Sequence, residues 1–143
     1  MYRRQVMNSD FTLAIHSLTL LALQPDRMST SEYIAESAGV HPVRIRKVLS
    51  LLKKHGFIKS KEGTGGGFIF ALELSEVNLW DIYKITSEGA LQPKCPESNE
   101  QCIVGANMQS VLFTIFLGAE DHLGEYLKDY TIREIVDLIN QKQ

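Results

Sequence analysis

Apolar residues recur at helical spacing in two adjacent segments of the chain. In residues 32–38 they share one face of a predicted helix, which Gly39 ends, and they are Ile34, Ala35 and Ala38. In the next segment His41 caps a helix that Pro42 begins and Gly56 ends, and its inner face carries Ile45, Val48, Leu49 and Leu52. Because only a short turn separates the two segments, they predict a helix–turn–helix.

Two short strand-like segments follow, at residues 57–61 and 68–72. Between them lies the glycine-rich stretch Gly63-Thr64-Gly65-Gly66-Gly67, which is typical of a tight hairpin tip. A helix–turn–helix followed by such a hairpin is a winged helix–turn–helix, a fold that presents its second helix to duplex DNA.

The remaining apolar pattern predicts four more helices. The first runs from a cap at Ser9 or Asp10 to about Gln24 and is apolar over more than half its circumference, so we expect it to lie between the winged domain and the C-terminal helices. Another follows a cap at Ser75 or Asn78 and ends at Gly89. A long helix starts near Gln101, and a last one is capped by Thr131, with Glu134 completing a capping box.

The long helix has apolar residues on two sides, so it needs two partners. One is its own domain, and the other is most simply the same helix of a second subunit. We expect Gly118 and Gly124 to interrupt it. The predicted dimer interface is the stripe Val104, Met108, Val111, Leu112 and Ile115.

The predicted fold class is therefore mainly α with a small β-hairpin wing: a winged helix–turn–helix domain plus a long C-terminal dimerisation helix. We expect a DNA-binding domain at residues 8–90, a cysteine-containing loop at 91–102 and dimerisation helices at 103–143. We see no signal peptide and no apolar stretch that approaches a membrane span, so we expect a cytoplasmic protein without a membrane partner.

Charge is distributed unevenly along the chain. Residues 41–61 contain seven basic residues and no acid, a charge of +7, whereas the whole chain carries −2 and the remainder therefore −9. An isolated basic helix is usually just a solvated face. Here the basic block coincides with the second helix and the hairpin of the winged pattern, which favours a phosphate backbone as the ligand.

The segment Val40–Ala71, and above all LLKKHGFIKSKEGTGGGF, resembles the Rrf2 family of bacterial winged-helix transcription regulators, and the resemblance extends over nearly the whole chain from Met7. Its most specific part is the wing from Gly56 to Phe68. The family includes an iron–sulfur-cluster regulator, a nitrite-sensitive repressor and a cysteine-metabolism repressor. The resemblance implies a homodimeric repressor on a partly palindromic operator, with the second helix in the major groove and the wing in the minor groove.

We predict that double-stranded DNA is contacted by the caps, by the outer face of the second helix and by the wing. The residues are Thr30, Ser31, His41, Pro42, Val43, Arg44, Arg46, Lys47, Lys59, Ser60, Lys61, Gly63, Thr64 and Gly65. Two positions depart from the family. Glu62 stands where several members carry an arginine that enters the minor groove, and Arg46 stands where some place a glutamate, so the operator should differ from theirs.

Cys95 and Cys102 are the only cysteines and lie in or beside the loop before the long helix. Family members that hold an iron–sulfur cluster use three cysteines in this region, and the third position falls near Met108. We therefore expect no cofactor and no metal. Three interpretations stay open: structural cysteines, a thiol redox switch with Cys95 as nucleophile and Cys102 resolving it, or a metal site, either another metal or an iron–sulfur cluster that senses redox state or nitric oxide.

Two other function classes were weighed against DNA binding. An enzyme that binds a nucleotide at the glycine-rich stretch is disfavoured, because Gly67 is not followed by the Lys-Ser/Thr of a P-loop and the stretch precedes a strand. A winged helix used only for protein contact is disfavoured by Arg44, Arg46 and Lys47, since such interfaces exclude charge from their centres. The lone His16 is expected to be a structural core residue.

Overall fold

The computed structural model describes residues 9–142, so the ends of the predicted segments 8–90 and 103–143 lie outside it. Six α-helices and three strands account for most of these residues, with 3₁₀ turns at Pro25–Arg27 and Leu74–Glu76. In chain order they are α1 (Ser9–Leu23), β1 (Met28–Ser29), α2 (Ser31–Ala38), α3 (Pro42–Lys54), β2 (Ile58–Lys61), β3 (Gly67–Phe70), α4 (Leu79–Thr86), α5 (Ile103–Leu127) and α6 (Ile132–Asn140).

The helix–turn–helix forms as its caps predict. The Thr30 hydroxyl accepts a hydrogen bond from the Tyr33 N–H at 3.1 Å and starts α2. Gly39 ends α2 with a φ of 71°, a left-handed conformation that glycine adopts without steric cost. His41 Nδ1 then accepts from the Val43 N–H at 3.1 Å and caps α3, with Pro42 as the first helical residue.

The wing belongs to a three-stranded antiparallel sheet with the order β1-β3-β2. The prediction of a hairpin alone was therefore incomplete. In strand β1, Met28 pairs with Ile69 and Ser29 pairs with Phe68 of β3. The segment that follows α1 is therefore hydrogen-bonded to the wing. Strands β2 and β3 form the predicted hairpin, with Ser60 opposite Phe68.

One hydrophobic core lies around α1. The predicted inner face of α3 is buried, with Ile45, Leu49 and Leu52 fully covered, and Ile34 and Ala35 of α2 join it. Helix α1 contacts α2 and α3 as well as α4 and α6, so its predicted position between the winged domain and C-terminal helices is confirmed. Burying these side chains is the main source of the free energy of folding.

Helices α4 and α6 start side by side. The Leu79 N–H donates to the Tyr130 carbonyl at 2.8 Å, and the Ile132 N–H donates to the Val77 carbonyl at 2.9 Å. Asn78 caps α4 in a reciprocal capping box with Asp81, and α4 ends at Thr86, before the predicted Gly89. Thr131 caps α6 by accepting from the Glu134 N–H, but the reciprocal bond of the predicted capping box is not formed.

Helix α6 packs against α1, and its Ile132 and Val136 belong to the main core. Within residues 9–142, α5 therefore lies largely outside the main core, whereas α6 packs onto it beside α1.

Helix α5 runs without interruption from Ile103 to Leu127, so the prediction that Gly118 and Gly124 interrupt it was wrong. Its buried residues are Glu120 and Gly124, which face α4, and its remaining apolar side chains stay largely exposed. By length and composition α5 could also cross a membrane, contrary to the expectation that no stretch approaches a membrane span. An exposed apolar surface of this size is typical of a surface that interacts with a partner or a membrane.

Candidate nucleic-acid interface

The basic residues of segment 41–61 all lie on the surface. Arg44, Arg46 and Lys47 extend from the outer face of α3, opposite its buried side, and Lys53 and Lys54 lie at its C-terminal end. Lys59 and Lys61 are exposed on β2. The seven basic residues are therefore solvent-accessible on α3 and the adjacent wing. Exposed lysine and arginine side chains can contact the phosphates of DNA.

The N-terminal end of α3 exposes part of the predicted contact set. His41 and Val43 are exposed and Pro42 is half-buried. Thr30 is exposed too, although its hydroxyl is used as the α2 cap. Ser31 is only 7% exposed, the one buried residue of the predicted contact set, because as the first residue of α2 it turns towards the core; its burial disfavours a direct contact with DNA.

Arg46 is paired within the chain. Its Nη1 donates to Glu32 Oε2 of α2 at 3.5 Å, and both side chains remain substantially exposed. Exposed ion pairs of this kind contribute about 0–1 kcal/mol. A phosphate or a guanine can therefore replace Glu32 as the partner of Arg46. The sequence pattern did not predict this ion pair.

The wing tip is exposed from Lys61 to Gly65, which includes the predicted Gly63, Thr64 and Gly65, and Ser60 is exposed on β2. The turn is closed by the Gly66 N–H donating to the Gly63 carbonyl at 3.0 Å. A Cβ on Gly66 would collide with the backbone carbonyl of Lys61, so this position needs glycine. Glu62, exposed beside Lys61, adds a negative charge to the tip and weakens its attraction for phosphate.

The two cysteines occupy different environments. Cys95 is half-buried and lines a loop cavity of about 680 Å³ with polar residues of 96–101 and the first turns of α5. Cys102 is exposed at the N-cap position of α5. The backbone N–H groups of Gly105 and then Val104 lower the pKa of the Cys102 thiol, although the sulfur does not make a standard N-cap hydrogen bond.

The residues present do not fit an iron–sulfur cluster. Within residues 9–142 no three His, Cys, Asp or Glu side chains are grouped as metal ligands. Met108, near which the family resemblance places a third cysteine, is 43% exposed on α5. Two thiolates fall short of the four ligands that such clusters usually take.

His16 does not lie in the core as predicted. It is half-buried, and its Nε2 is 2.9 Å from the Ser37 hydroxyl, which links α1 to α2. Both residues line an apolar groove of about 380 Å³ between α1 and α6, to which Ile135 and Ile139 contribute.

Several proteins similar to this chain are transcription regulators by name. The profile of the Rrf2 family, described as an iron-dependent transcriptional regulator, matches residues 7–138. YwnA of Bacillus subtilis (strain 168), classed among the HTH-type transcriptional regulators, is 26% identical over 133 residues, which are 92% of this chain and 98% of YwnA. NsrR of the same organism, another HTH-type regulator, is 24% identical over 131 residues, 90% and 86% of the two chains.

One similar solved structure is that of a transcriptional regulator from Lactobacillus plantarum. It superimposes with a TM-score of 0.76 at 29% sequence identity, and the match covers 92% of this chain and 90% of the other. The family profile spans the helix–turn–helix, the wing and α5. The predicted winged helix–turn–helix fold with a long C-terminal helix, and the predicted role as a regulator and not an enzyme, are confirmed. The chain therefore belongs to the Rrf2 family and is a DNA-binding transcription regulator of the winged-helix type.

Proposed function

We propose that the chain is a homodimeric repressor that binds a partly palindromic operator in the cytoplasm and responds to oxidation of its thiols. The observation that carries DNA binding is the exposed basic face of α3 and β2, on which residues 41–61 contribute seven cations and no acid. Phosphate neutralisation by this face would supply most of the affinity, and side chains at the start of α3 would distinguish bases in the major groove.

Dimerisation is supported by the apolar surface of α5. Val104, Val111 and Ile115 are each more than half exposed, Met108 is 43% exposed and Leu112 is half-buried. A two-fold axis beside this helix would cover the same stripe on both subunits. We assign this surface to a second copy and not to a membrane, because the same chain presents a DNA-binding face. The two α3 helices would then occupy half-sites about one helical turn apart, roughly 34 Å.

For the thiol response we reverse the roles expected from the sequence. Cys102 is exposed and its pKa is lowered, so it is the better nucleophile, and the half-buried Cys95 resolves. The Cys102 thiolate attacks one peroxide oxygen, which gives a sulfenic acid and releases hydroxide, protonated to water. The Cys95 sulfur then attacks the sulfenic sulfur, and a disulfide forms as a second water leaves. Two thiols lose two electrons in total, and hydrogen peroxide gains them.

The absence of a stable cluster stays a prediction. Because the donor set does not fit a cluster, no step of the proposed response is routed through one. Anaerobic purification followed by iron analysis and a visible spectrum tests it: stoichiometric iron with a reproducible absorption band would replace the thiol mechanism with cluster sensing.

The proposed function is tested by selecting fragments of the source organism's genomic DNA with the reduced protein and again after diamide treatment. The selected operator and a random duplex are then titrated between 50 and 200 mM salt. We expect affinity for both to fall steeply, by roughly 10³-fold or more if six phosphates are neutralised. Salt-independent binding or none would contradict the DNA-binding face, and equal selection in both redox states would contradict the thiol response.

A further inference from the structure

Glu120 is a buried carboxylate in the C-terminal half of a largely exposed helix. Glu120 is only 7% exposed. Its Oε2 accepts two hydrogen bonds, one from the Tyr83 hydroxyl at 2.7 Å and one from the Gly89 N–H at 2.8 Å. Neither of the ion pairs found among residues 9–142 involves it. A buried carboxylate is tolerated only while its donors stay in place, so this site is sensitive to movement of either one.

The first donor leads to the winged domain. Tyr83 of α4 is fully buried, its ring lies edge-on to Phe11 of α1 with centroids 6.1 Å apart, and α1 supports the helix–turn–helix. Burial and the hydrogen bond to Glu120 raise the pKa of the Tyr83 hydroxyl well above its ordinary value, so it stays protonated and donates at any physiological pH.

The second donor leads to the cysteine loop. Gly89 lies at the start of the segment that carries Cys95, and this segment is attached to α5 at two further points. Gln92 Nε2 donates to the Phe113 carbonyl at 3.3 Å, and the Ser98 hydroxyl donates to the Gly105 carbonyl at 2.7 Å. The loop therefore lies along the N-terminal half of α5. At the start of the loop, the Gly89 N–H donates to the same Glu120 oxygen as the Tyr83 hydroxyl of α4.

We propose that Glu120 is a positioning residue that transmits the state of the cysteine loop to the winged domain. The inference rests on the proposed thiol response and specifies its route. Drawing Cys95 towards Cys102 displaces the loop and pulls the Gly89 N–H away from Glu120. The buried carboxylate then keeps only the hydrogen bond from Tyr83. To regain a second hydrogen bond, Glu120 moves together with Tyr83 and α4. That movement changes the angle between α5 and the winged domain, and with it the separation of the two α3 helices.

The test uses the full-length dimer, fully reduced or oxidised with diamide, and measures the ratio of operator dissociation constants in the two states. We expect a ratio of at least fivefold for the wild type. Glu120→Ala and Tyr83→Phe should bring it close to one, whereas Glu120→Gln, whose amide oxygen still accepts both bonds, should restore most of it. Glu125→Ala is the matched control, because Glu125 is an exposed glutamate on the same helix.

A purely structural role would lower the stability of both redox states without changing their ratio, so the ratio separates the two roles. Disulfide formation and dimer content are measured on every sample, and variants are compared only where both match the wild type. An unchanged ratio in Glu120→Ala and Tyr83→Phe overturns the inference and leaves the thiol response intact. A wild-type ratio of one, with the disulfide formed, instead overturns the thiol response and the inference together.

Discussion

Arg46 of α3 and Glu32 of α2 form an ion pair at 3.5 Å on the surface predicted to face DNA. The pair joins the two helices of the helix–turn–helix across their outer side. A contact between Arg46 and an operator would therefore require Arg46 either to leave Glu32 or to share its donors between the carboxylate and the DNA. We therefore expect the pair to make the free protein a weaker DNA binder than its count of cations suggests.

Replacing Glu32 by Gln should tighten binding to random duplex DNA by roughly twofold to fivefold, because the exposed pair holds Arg46 with at most about 1 kcal/mol. Fluorescence anisotropy at low salt measures this. Glu36→Gln is the control, since it removes the same charge from the exposed side of α2, and Glu36 takes part in neither of the ion pairs found among residues 9–142. Equal gains in both variants would mean that general charge, and not the pair, sets the effect.

Replacing Arg44 or Arg46 by Ala should weaken binding to the selected operator by about 1–3 kcal/mol for whichever side chain contacts a base, and should relax preference at that base pair. A contact to phosphate alone would instead weaken all sequences equally and reduce the salt slope by about one. Arg133→Ala, an exposed cation on α6, is the control. Unchanged operator affinity in both α3 variants would remove them from the interface.

Two glycines of α5 should respond in opposite directions to the same substitution. A Cβ on Gly124 would lie 2.7 Å from the Trp80 indole, whereas a Cβ on Gly118 has open space around it. Gly124→Ala should destabilise the fold by roughly 1–3 kcal/mol through overpacking, and Gly118→Ala should stabilise it by roughly 0.5–1 kcal/mol through helix propensity. Urea unfolding at one fixed protein concentration measures both. Similar shifts for the two variants would refute the close α4–α5 contact.

Placing Asp at Met108 or Val111 should weaken self-association more than roughly 100-fold, because an unpaired charge in a dry seam costs several kcal/mol. Sedimentation velocity over a concentration series gives the dissociation constant. Gln109→Asp introduces the same charge at an exposed neighbouring position that lines the cysteine-loop cavity, and it should leave the dimer intact. A monomeric wild type at micromolar concentration would contradict the proposed interface directly.

Alkylation of Cys102 should show its lowered pKa as a pH dependence. The thiolate is the reacting form, so a pKa below the ordinary value of about 8.5 shifts the midpoint of the rate profile to lower pH. Iodoacetamide kinetics on the Cys95→Ser protein isolate this thiol. In urea the helix N-terminus is lost and the midpoint should return to about 8.5. Identical folded and unfolded profiles would show that the first turn of α5 does not stabilise the thiolate.

The helix–turn–helix could be predicted from sequence because its determinants are local. The inner face of α3 follows from the spacing of Ile45, Val48, Leu49 and Leu52, which are all at most 1% exposed, and its start follows from His41 and Pro42. Caps act within three residues, so a sequence pattern contains them in full.

The contacts between distant segments could not be predicted in this way. Tyr83 and Glu120 are 37 residues apart in the sequence. The sequence alone does not indicate whether a glutamate in an apolar helix faces the core or the solvent. Strand β1 has two residues, too few to show an alternating pattern, and it forms because β3 offers a free edge. The burial of Ser31 could not be predicted either, because a hydroxyl at a helix start is compatible with both an exposed cap and a buried first turn.

Trp80 is the only tryptophan in the chain, and it lies where α4 meets α5. Its ring stacks on Tyr83 at 5.2 Å between centroids and rests against Gly124, with the Lys84 ammonium 6.0 Å from the ring centroid. Indole emission depends on the polarity around the ring and on nearby quenching groups. The protein therefore contains its own optical reporter, and a change in α4–α5 packing on oxidation or DNA binding can be followed by intrinsic fluorescence in real time, without a label.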